Sequence, residues 1–215
     1  MKLENEYRQL DEMAKEAGTD KSSQFHDYMH MYAHEFTRFK DLPIRFLEIG
    51  LWEGSSAKLW ENYFPKAELH FIDISLDAVK FKSGRSHYHR YNQEDPEDLQ
   101  RFLEVVPGPF DIIVDDGGHT ARQQLTSFSF LFPRVSSGGI YVIEDLHSSY
   151  WGGTGPGSTI HFLKALIDQV NFIGARTGRA SQEEVPQEVV SEMTFYRSEI
   201  RSVSFSSSVA VIERR

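Results

Sequence analysis

Cysteine is absent from the 215-residue chain, which therefore has no disulfide, no thiolate metal site and no cysteine nucleophile. Basic residues are scarce as well, since 23 lysines and arginines stand against 32 acidic residues and give a formal net charge of −9. A charge of that sign repels nucleic acid and anionic membrane surfaces. The chain also lacks a signal-peptide core and any run of about 18 apolar residues. We expect a soluble, cytoplasmic protein whose partners include neither nucleic acid nor membrane.

The remaining composition is that of an ordinary globular domain, with 40% apolar and 13% aromatic residues. We expect one domain over residues 1–215, in which residues 1–40 form an N-terminal helical layer or lid. Helical spacing predicts helices at about Glu4–Ala17 and Phe25–Phe39 in that region. The polar segment Gly174–Glu192 is predicted to be a surface excursion with one short helix.

Short apolar segments alternate with segments of helical spacing along most of the chain. The predicted strands are Ile44–Ile49, Leu69–Ile74, His87–Tyr91, Phe110–Val114 and Ile140–Ile143. The predicted helices are Gly54–Tyr63, Leu76–Lys82, Pro96–Val105, His119–Phe132 and Ile160–Val170. A β-hairpin is predicted near the C-terminus, formed by Ser202–Phe205 and Ser208–Ile212. This order predicts an α/β fold with a mostly parallel seven-stranded sheet, helices on both faces and a C-terminal hairpin.

Polar residues follow the first two predicted strands, where open α/β sheets bind ligands. Gly50 ends the first strand and lets the backbone approach a ligand, although the sequence around it is not the glycine pattern of dinucleotide enzymes. Asp73 ends the second strand, 23 residues after Gly50. This spacing is close to that of the acid that accepts hydrogen bonds from ribose hydroxyls in nucleotide-binding sheets. Acids after strands are also common loop and cap residues, but this ordered coincidence favours a nucleoside ligand.

Two acidic pairs and a histidine follow the fourth and fifth predicted strands. Asp115 and Asp116 precede His119, and Glu144 and Asp145 end the next strand. Converging carboxylates repel one another unless a cation neutralises them, and Mg²⁺ prefers oxygen ligands. The pattern predicts Asp116, Glu144 and Asp145 as ligands, with His119 placed to accept a proton. The alternative is a helix cap at Asp116 and a solvated strand end at Glu144 and Asp145.

Several motifs together resemble one known family. They are Gly18–Lys21, Leu47–Gly50, Asp115–His119, Tyr141–Leu146 and Ser149–Trp151, the last followed by a glycine-rich loop. In combination and spacing they resemble the metal-dependent sugar O-methyltransferases of antibiotic biosynthesis, which use S-adenosylmethionine (SAM). The resemblance runs from about Gly18 to the C-terminus. It implies a Rossmann-like class I SAM methyltransferase fold.

The resemblance also implies roles for individual positions. The residues on the cofactor side would be Glu48 and Gly50 against the methionine part of SAM, Asp73 at the ribose, Gln93 near the adenine, Asp115 facing the amino group, and Thr19 and Lys21 beside the pocket. Asp116, Glu144 and Asp145 match the Mg²⁺ ligands of the family, and His119 matches its catalytic base.

The implied function is a Mg²⁺- and SAM-dependent O-methyltransferase that methylates a hydroxyl of a sugar or polyol moiety of a natural product. Two alternatives stay open: a catechol-type aromatic O-methyltransferase, and a SAM-binding or nucleotide-binding module without catalysis. The expected partner is a small-molecule acceptor, a glycosylated natural product. The sequence names neither the acceptor nor its hydroxyl, and it leaves open whether the chain forms a homo-oligomer.

Two further features have competing interpretations. The loop from Ser148 to Gly157 is predicted to close over the acceptor, with Tyr150 and Trp151 offering aromatic faces, although an ordinary surface connection has the same composition. His26, His30 and His34 share one helical face and could bind a metal, but without a carboxylate to complete the ligand set we favour packing or substrate contact.

Overall fold

A seven-stranded sheet forms the centre of the fold in the computed structural model, which describes residues 2–178 and 185–215. The strands are β1 (Arg45–Ile49), β2 (Glu68–Asp73), β3 (Ser86–Arg90), β4 (Phe110–Asp115), β5 (Val135–Ile143), β6 (Ile200–Ser206) and β7 (Val209–Arg214). The helices are α1 (Lys2–Ala17), α2 (Met29–Phe36), α3 (Ser55–Tyr63), α4 (Pro96–Val105), α5 (Ala121–Leu131), α6 (Thr159–Val170), α7 (Phe172–Thr177), α8 (Gln187–Ser191) and α9 (Phe195–Glu199).

The strand order β3-β2-β1-β4-β5-β7-β6 places the earliest strands at the centre and at one side of the sheet. Strands β1 to β5 pair in parallel, whereas β7 pairs antiparallel with both β5 and β6. The predicted α/β class, the mostly parallel sheet and the C-terminal hairpin are therefore confirmed. In the register, Ile49 lies beside Asp115, which in turn lies beside Ile143, so the ends of β1, β4 and β5 meet at one edge.

Two apolar clusters cover the two faces of this sheet. One contains Trp60 of α3 with residues of α1 and α2, and the other contains Phe102 of α4 and Phe128 of α5. Successive strand residues alternate between them, as Phe46 and Leu47 do, because side chains of a β-strand point to opposite faces in turn. Helices thus lie on both faces, and α1 and α2 pack into the core beside α3.

Local signals account for the helices whose limits agree best with the sequence. Helix α4 spans the predicted residues because the Asp95 side chain accepts a hydrogen bond from the Glu97 backbone and Pro96 occupies the first turn. Helix α5 begins after Thr120, which forms a capping box with Gln123. The helix predicted from Phe25 begins only at Met29, after a segment of turns.

The helix predicted over Leu76–Lys82 is wrong, because this segment contains turns and irregular backbone. The backbone N–H groups of Lys80 and Phe81 both donate to the carbonyl of Glu53, at 2.9 and 3.2 Å. Those donors would bond within a helix, but here they hold the segment across the turn that precedes α3. A tertiary partner has replaced the local one.

The polar segment after α6 is partly described. Helix α7 ends at Thr177, and the short helix α8 lies in the second half of the predicted excursion, while residues 179–184 lie outside the described residues. Across the described ranges, none of the helices has the length and apolar character needed to cross a membrane.

Candidate active site

The alternation of side chains along the strands decides where each strand-end acid points. Asp115 faces the side of the sheet covered by α5, whereas Asp116 and Glu144 face the side covered by the N-terminal helices. Glu48 of β1 points to that same side. Asp115, the last residue of β4, and Asp116, the residue after it, therefore lie on opposite sides of the sheet, and Asp115 does not join the other carboxylates.

Asp115 is buried beneath the candidate site. Its carboxylate accepts hydrogen bonds from Gln93 Nε2 at 2.9 Å, from the Tyr141 hydroxyl at 3.0 Å and from the Ser127 hydroxyl. Burial raises the pKa of Asp115 to about 6, although these donors oppose the rise. The Oε1 atom of Gln93 accepts from the Gly118 backbone at 2.6 Å, so Asp115 and Gln93 together fix the loop that carries Asp116 and His119.

Side chains from the N-terminal region contact the acids on the other face. Lys21 Nζ donates to Glu144 Oε2 at 2.7 Å and also to Asp116 Oδ2. The Tyr28 hydroxyl donates to Asp145 Oδ1 at 2.6 Å. Sequence reasoning missed these pairings, because no local pattern links a turn near residue 20 to strand ends more than 90 residues later.

Burial and charge shape the electrostatics of this cluster. Burial, followed by the neighbouring Asp116 charge, raises the pKa of Glu144 well above its usual range, while Lys21 opposes that rise. Burial alone would lower the pKa of Lys21, but the carboxylates of Asp116 and Glu144 hold it well above its usual value. Lys21 is therefore a buried ammonium group paired with acids.

Three partly exposed side chains form a group that could hold a metal ion. One ligand atom each of Asp116, His119 and Asp145 lies within 4.8 Å of the others, the only such trio among the described residues. The carboxylate oxygens and imidazole nitrogen of this group suit a divalent cation. Glu144 lies outside this trio, and its two oxygens accept from Lys21 and from the Tyr32 hydroxyl.

His119 has one nitrogen engaged and one without a partner. Its Nε2 lies 3.3 Å from Asp145 Oδ2, whereas its buried Nδ1 has no hydrogen-bond partner within the described part of the chain. Asp145 adopts a left-handed backbone conformation with φ of +56°, which few residues other than glycine adopt without cost. Such local strain next to polar groups is typical of functional sites.

A cavity of about 590 Å³ opens beside this group at the C-terminal edge of β1, β2 and β4. Among the residues predicted to bind the cofactor, those that line it are Thr19, Gly50, Asp73 and Gln93. Asp116, His119 and Asp145 line it as well. Lys21, Glu48 and Asp115 lie behind the lining, where they support other side chains.

Two acids hold the elements at the base of the cavity, Asp73 the turn after β1 and Glu48 the helix α3. Asp73 Oδ2 accepts from the backbone N–H groups of Leu51 at 2.8 Å and of Trp52 at 3.3 Å. Glu48 is fully buried and accepts from the Ser56 hydroxyl at 2.7 Å and from Trp60 Nε1 at 3.1 Å. Burial raises the pKa of Glu48 to about 7, with Lys21 opposing the rise.

Gly50 allows this turn to pass close beneath the candidate metal group. Its φ is +92°, and a Cβ atom at this position would lie 1.9 Å from the backbone oxygen of Asp116. No side chain fits that space, because real Cβ contacts are far longer. The glycine that the sequence suggested for ligand approach therefore also permits the close approach of two loops.

A second cavity of about 670 Å³ lies on the other side of His119, which lines both cavities. The glycine-rich loop after Ser148 forms much of its wall, together with Trp151, whose side chain is largely exposed. Tyr150 is 56% exposed and does not line this cavity.

The histidine stripe of the N-terminal region does not form a metal site within the described residues. His30 stacks on Tyr7 with ring centroids 3.5 Å apart, and His34 Nδ1 lies 3.0 Å from Glu35. His26 stacks on Tyr28 and so lies nearer the candidate site. The three side chains have separate local partners, which agrees with the packing interpretation.

The chain is similar to known methyltransferases in both sequence and structure. Residues 47–146 match the profile of a family described as a methyltransferase domain. The chain is 35% identical over 202 residues to L-olivosyl-oleandolide 3-O-methyltransferase of Streptomyces antibioticus, covering 86% of this chain and 52% of that protein. It is 34% identical over 176 residues to mycinamicin VI 2''-O-methyltransferase of Micromonospora griseorubida, covering 75% of this chain and 44% of the relative.

A solved structure of the MycE methyltransferase from the mycinamycin biosynthetic pathway, in complex with Mg, SAH and mycinamycin VI, superimposes with a TM-score of 0.82. It is 30% identical in sequence and covers 95% of this chain and 53% of that one. The chain thus has the class I SAM methyltransferase fold, with a methyltransferase-domain match at its centre. By sequence and structure the chain is a relative of the sugar O-methyltransferases of antibiotic pathways, and it spans about half the length of those it matches.

Proposed function

We propose that the chain is a Mg²⁺- and SAM-dependent O-methyltransferase that methylates a hydroxyl of a sugar or polyol moiety of a natural product. The observation that carries the proposal is the position of His119, which lines both cavities and lies within the group formed with Asp116 and Asp145. Methyl transfer needs two substrate pockets that meet at a group able to accept a proton.

The polar cavity at the strand ends is the proposed SAM pocket. Gly50 lets backbone approach the methionine part. Asp73 Oδ2 accepts from the β1 turn and Oδ1 from the Ser75 N–H, so the second lone pair of Oδ1 is left for a ribose hydroxyl. Gln93 and Thr19 both line this cavity, and we assign Gln93 to the adenine end. We assign Lys21, Glu48 and Asp115 to this pocket as residues that support its lining.

The carboxylates of Asp116 and Asp145 are the proposed Mg²⁺ ligands, and Glu144 would join them where it exchanges one of its present partners. The bound ion would act as a Lewis acid that stabilises the developing alkoxide. His119 accepts the hydroxyl proton, and the oxygen forms its new bond to the methyl carbon as the carbon–sulfur bond of SAM breaks. The domain mainly orients the two substrates and removes the proton.

The second cavity is the proposed acceptor pocket. The named relatives act on sugar hydroxyls of glycosylated antibiotics, which supports a glycosylated acceptor here. Trp151 in the loop wall and the exposed Tyr150 next to it in sequence offer aromatic faces on which a sugar ring can pack. We propose that the glycine-rich loop closes over the acceptor.

The proposal is tested with His119→Ala and Asp116→Ala, and with His34→Ala as the matched control for an exposed histidine. Turnover is measured with labelled SAM against olivosyl and rhamnosyl glycosides and catechols, with Mg²⁺ or a chelator. SAM affinity is measured by calorimetry. We expect each site variant to lose at least about 100-fold in turnover while binding SAM within a few-fold of wild type.

Each result has a definite meaning. Wild-type turnover in either site variant, or turnover unaffected by the chelator, would contradict the mechanism. Preference for catechols over glycosides would favour the aromatic alternative. A protein that binds SAM but methylates nothing in the panel would support the non-catalytic alternative.

A further inference from the structure

The ammonium group of Lys21 is surrounded by carboxylates from three different strand ends. Its Nζ lies 2.7 Å from Glu144 Oε2 and 3.7 Å from Glu48 Oε1, and it also donates to Asp116 Oδ2. Its side chain is only 1% exposed. The sheet order brings β1, β4 and β5 together, so Lys21 links all three strand ends through one charge.

The backbone around Lys21 is held in place by local hydrogen bonds. The Lys21 carbonyl accepts from the Tyr28 N–H at 3.0 Å, and the Lys21 N–H donates to the Thr19 hydroxyl at 3.4 Å. Asp11 of α1 anchors the next turn by accepting from the backbone and hydroxyl of Ser23, both at 2.7 Å. These bonds fix the backbone of Lys21, so its side chain extends towards the carboxylates from a defined position.

Buried carboxylates that face one another need a compensating positive charge. Lys21 supplies part of it within the chain, and a divalent ion beside Asp116 and Asp145 would supply more. The two cations share Asp116, because its Oδ2 bonds to Lys21 while the same carboxylate belongs to the candidate metal group. Two positive charges on one carboxylate also repel each other.

We propose that Lys21 is a positioning residue: a built-in cation that holds Asp116 and Glu144 in place before a divalent ion binds, and that weakens the affinity for that ion. The part concerning the ion rests on the proposed function. The part concerning the carboxylates depends only on the contacts of Lys21. Lys21 and the ion then partly substitute for each other in neutralising the cluster.

The first test measures Mn²⁺ as the probe of the divalent site. Its dissociation constant is determined by calorimetry for wild type, Lys21→Met and Lys58→Met, whose side chain bonds to a carbonyl of α1 away from the cluster. We expect Lys21→Met to bind Mn²⁺ at least about tenfold more tightly than wild type, and Lys58→Met to match wild type. Equal or weaker binding by Lys21→Met would overturn the proposed repulsion.

The second test is a double-mutant cycle of thermal unfolding in a chelator. Lys21→Met should lower the midpoint strongly in the wild-type background, and Glu144→Gln should reduce that loss by about half or more, because it removes the uncompensated charge. If Lys21→Met alone does not fold, recovery of folding in the double variant has the same meaning. Additive losses, or no recovery, would overturn the assignment. If wild type binds no Mn²⁺, the proposed function is contradicted in its metal requirement. The double-mutant cycle still tests whether Lys21 holds the carboxylates in place, because it is measured without a divalent ion.

Discussion

Glu48 offers a pH-dependent test of how the site is built. The side chain is fully buried on the face covered by α3, and its two oxygens accept from the Ser56 hydroxyl and the Trp60 ring. Burial raises its pKa from 4.5 to about 7, with Lys21 opposing the rise. Glu48→Gln removes this titration while it keeps the shape of the side chain and one acceptor oxygen.

The sign of the effect follows from proton linkage. The folded state binds the proton more tightly than the unfolded state, so ionised Glu48 costs stability above about pH 7. As the pH falls from 7 towards 4.5, the folded state takes up the proton first and the cost disappears. The difference between the two pKa values corresponds to about 3 kcal/mol.

The measurement is the free energy of unfolding in urea between pH 4.5 and pH 8, with chelator present. Wild type should gain stability relative to Glu48→Gln by about 2 to 3 kcal/mol as the pH falls through this range. The control is Glu104→Gln, an exposed glutamate of α4, which should follow wild type. Parallel curves for wild type and Glu48→Gln would refute the argument that Glu48 is buried as a poorly compensated acid.

Three further substitutions test the surroundings of the site. Gly50→Ala should cost more than about 2 kcal/mol in urea unfolding, since its Cβ would strike the Asp116 backbone; a loss below 0.5 kcal/mol would contradict the close approach. Tyr28→Phe should lower the free energy of unfolding by about 1.5 kcal/mol through its lost bond to Asp145, and an unchanged value in urea would show that the bond contributes nothing. Trp151→Ala should raise the acceptor KM by up to about tenfold with SAM affinity unchanged in calorimetry; an unchanged KM would remove Trp151 from the acceptor pocket.

Local patterns in the sequence determined most of the secondary structure. Helix α4 begins where the sequence predicts because the Asp95 side chain accepts a bond from the Glu97 backbone two residues on and Pro96 occupies the first turn. The buried strands follow from short apolar segments, and their order with the hairpin predicts the sheet. The same reasoning failed at Leu76–Lys82, where the backbone donors of Lys80 and Phe81 bond to Glu53 instead of within a helix. A local pattern contains no information about such a distant acceptor.

The sequence by itself also determined which side chains lie at the ligand-binding edge, because the residues after parallel strands share that edge whatever their partners. Only the tertiary structure decided how those side chains pair. Strand register and the alternation of side chains along the strands place Asp115 on one face of the sheet and Asp116 on the other. Packing of the N-terminal helices then placed Lys21 and Tyr32 against Glu144. These contacts join residues far apart in the chain, so they depend on how whole elements pack together.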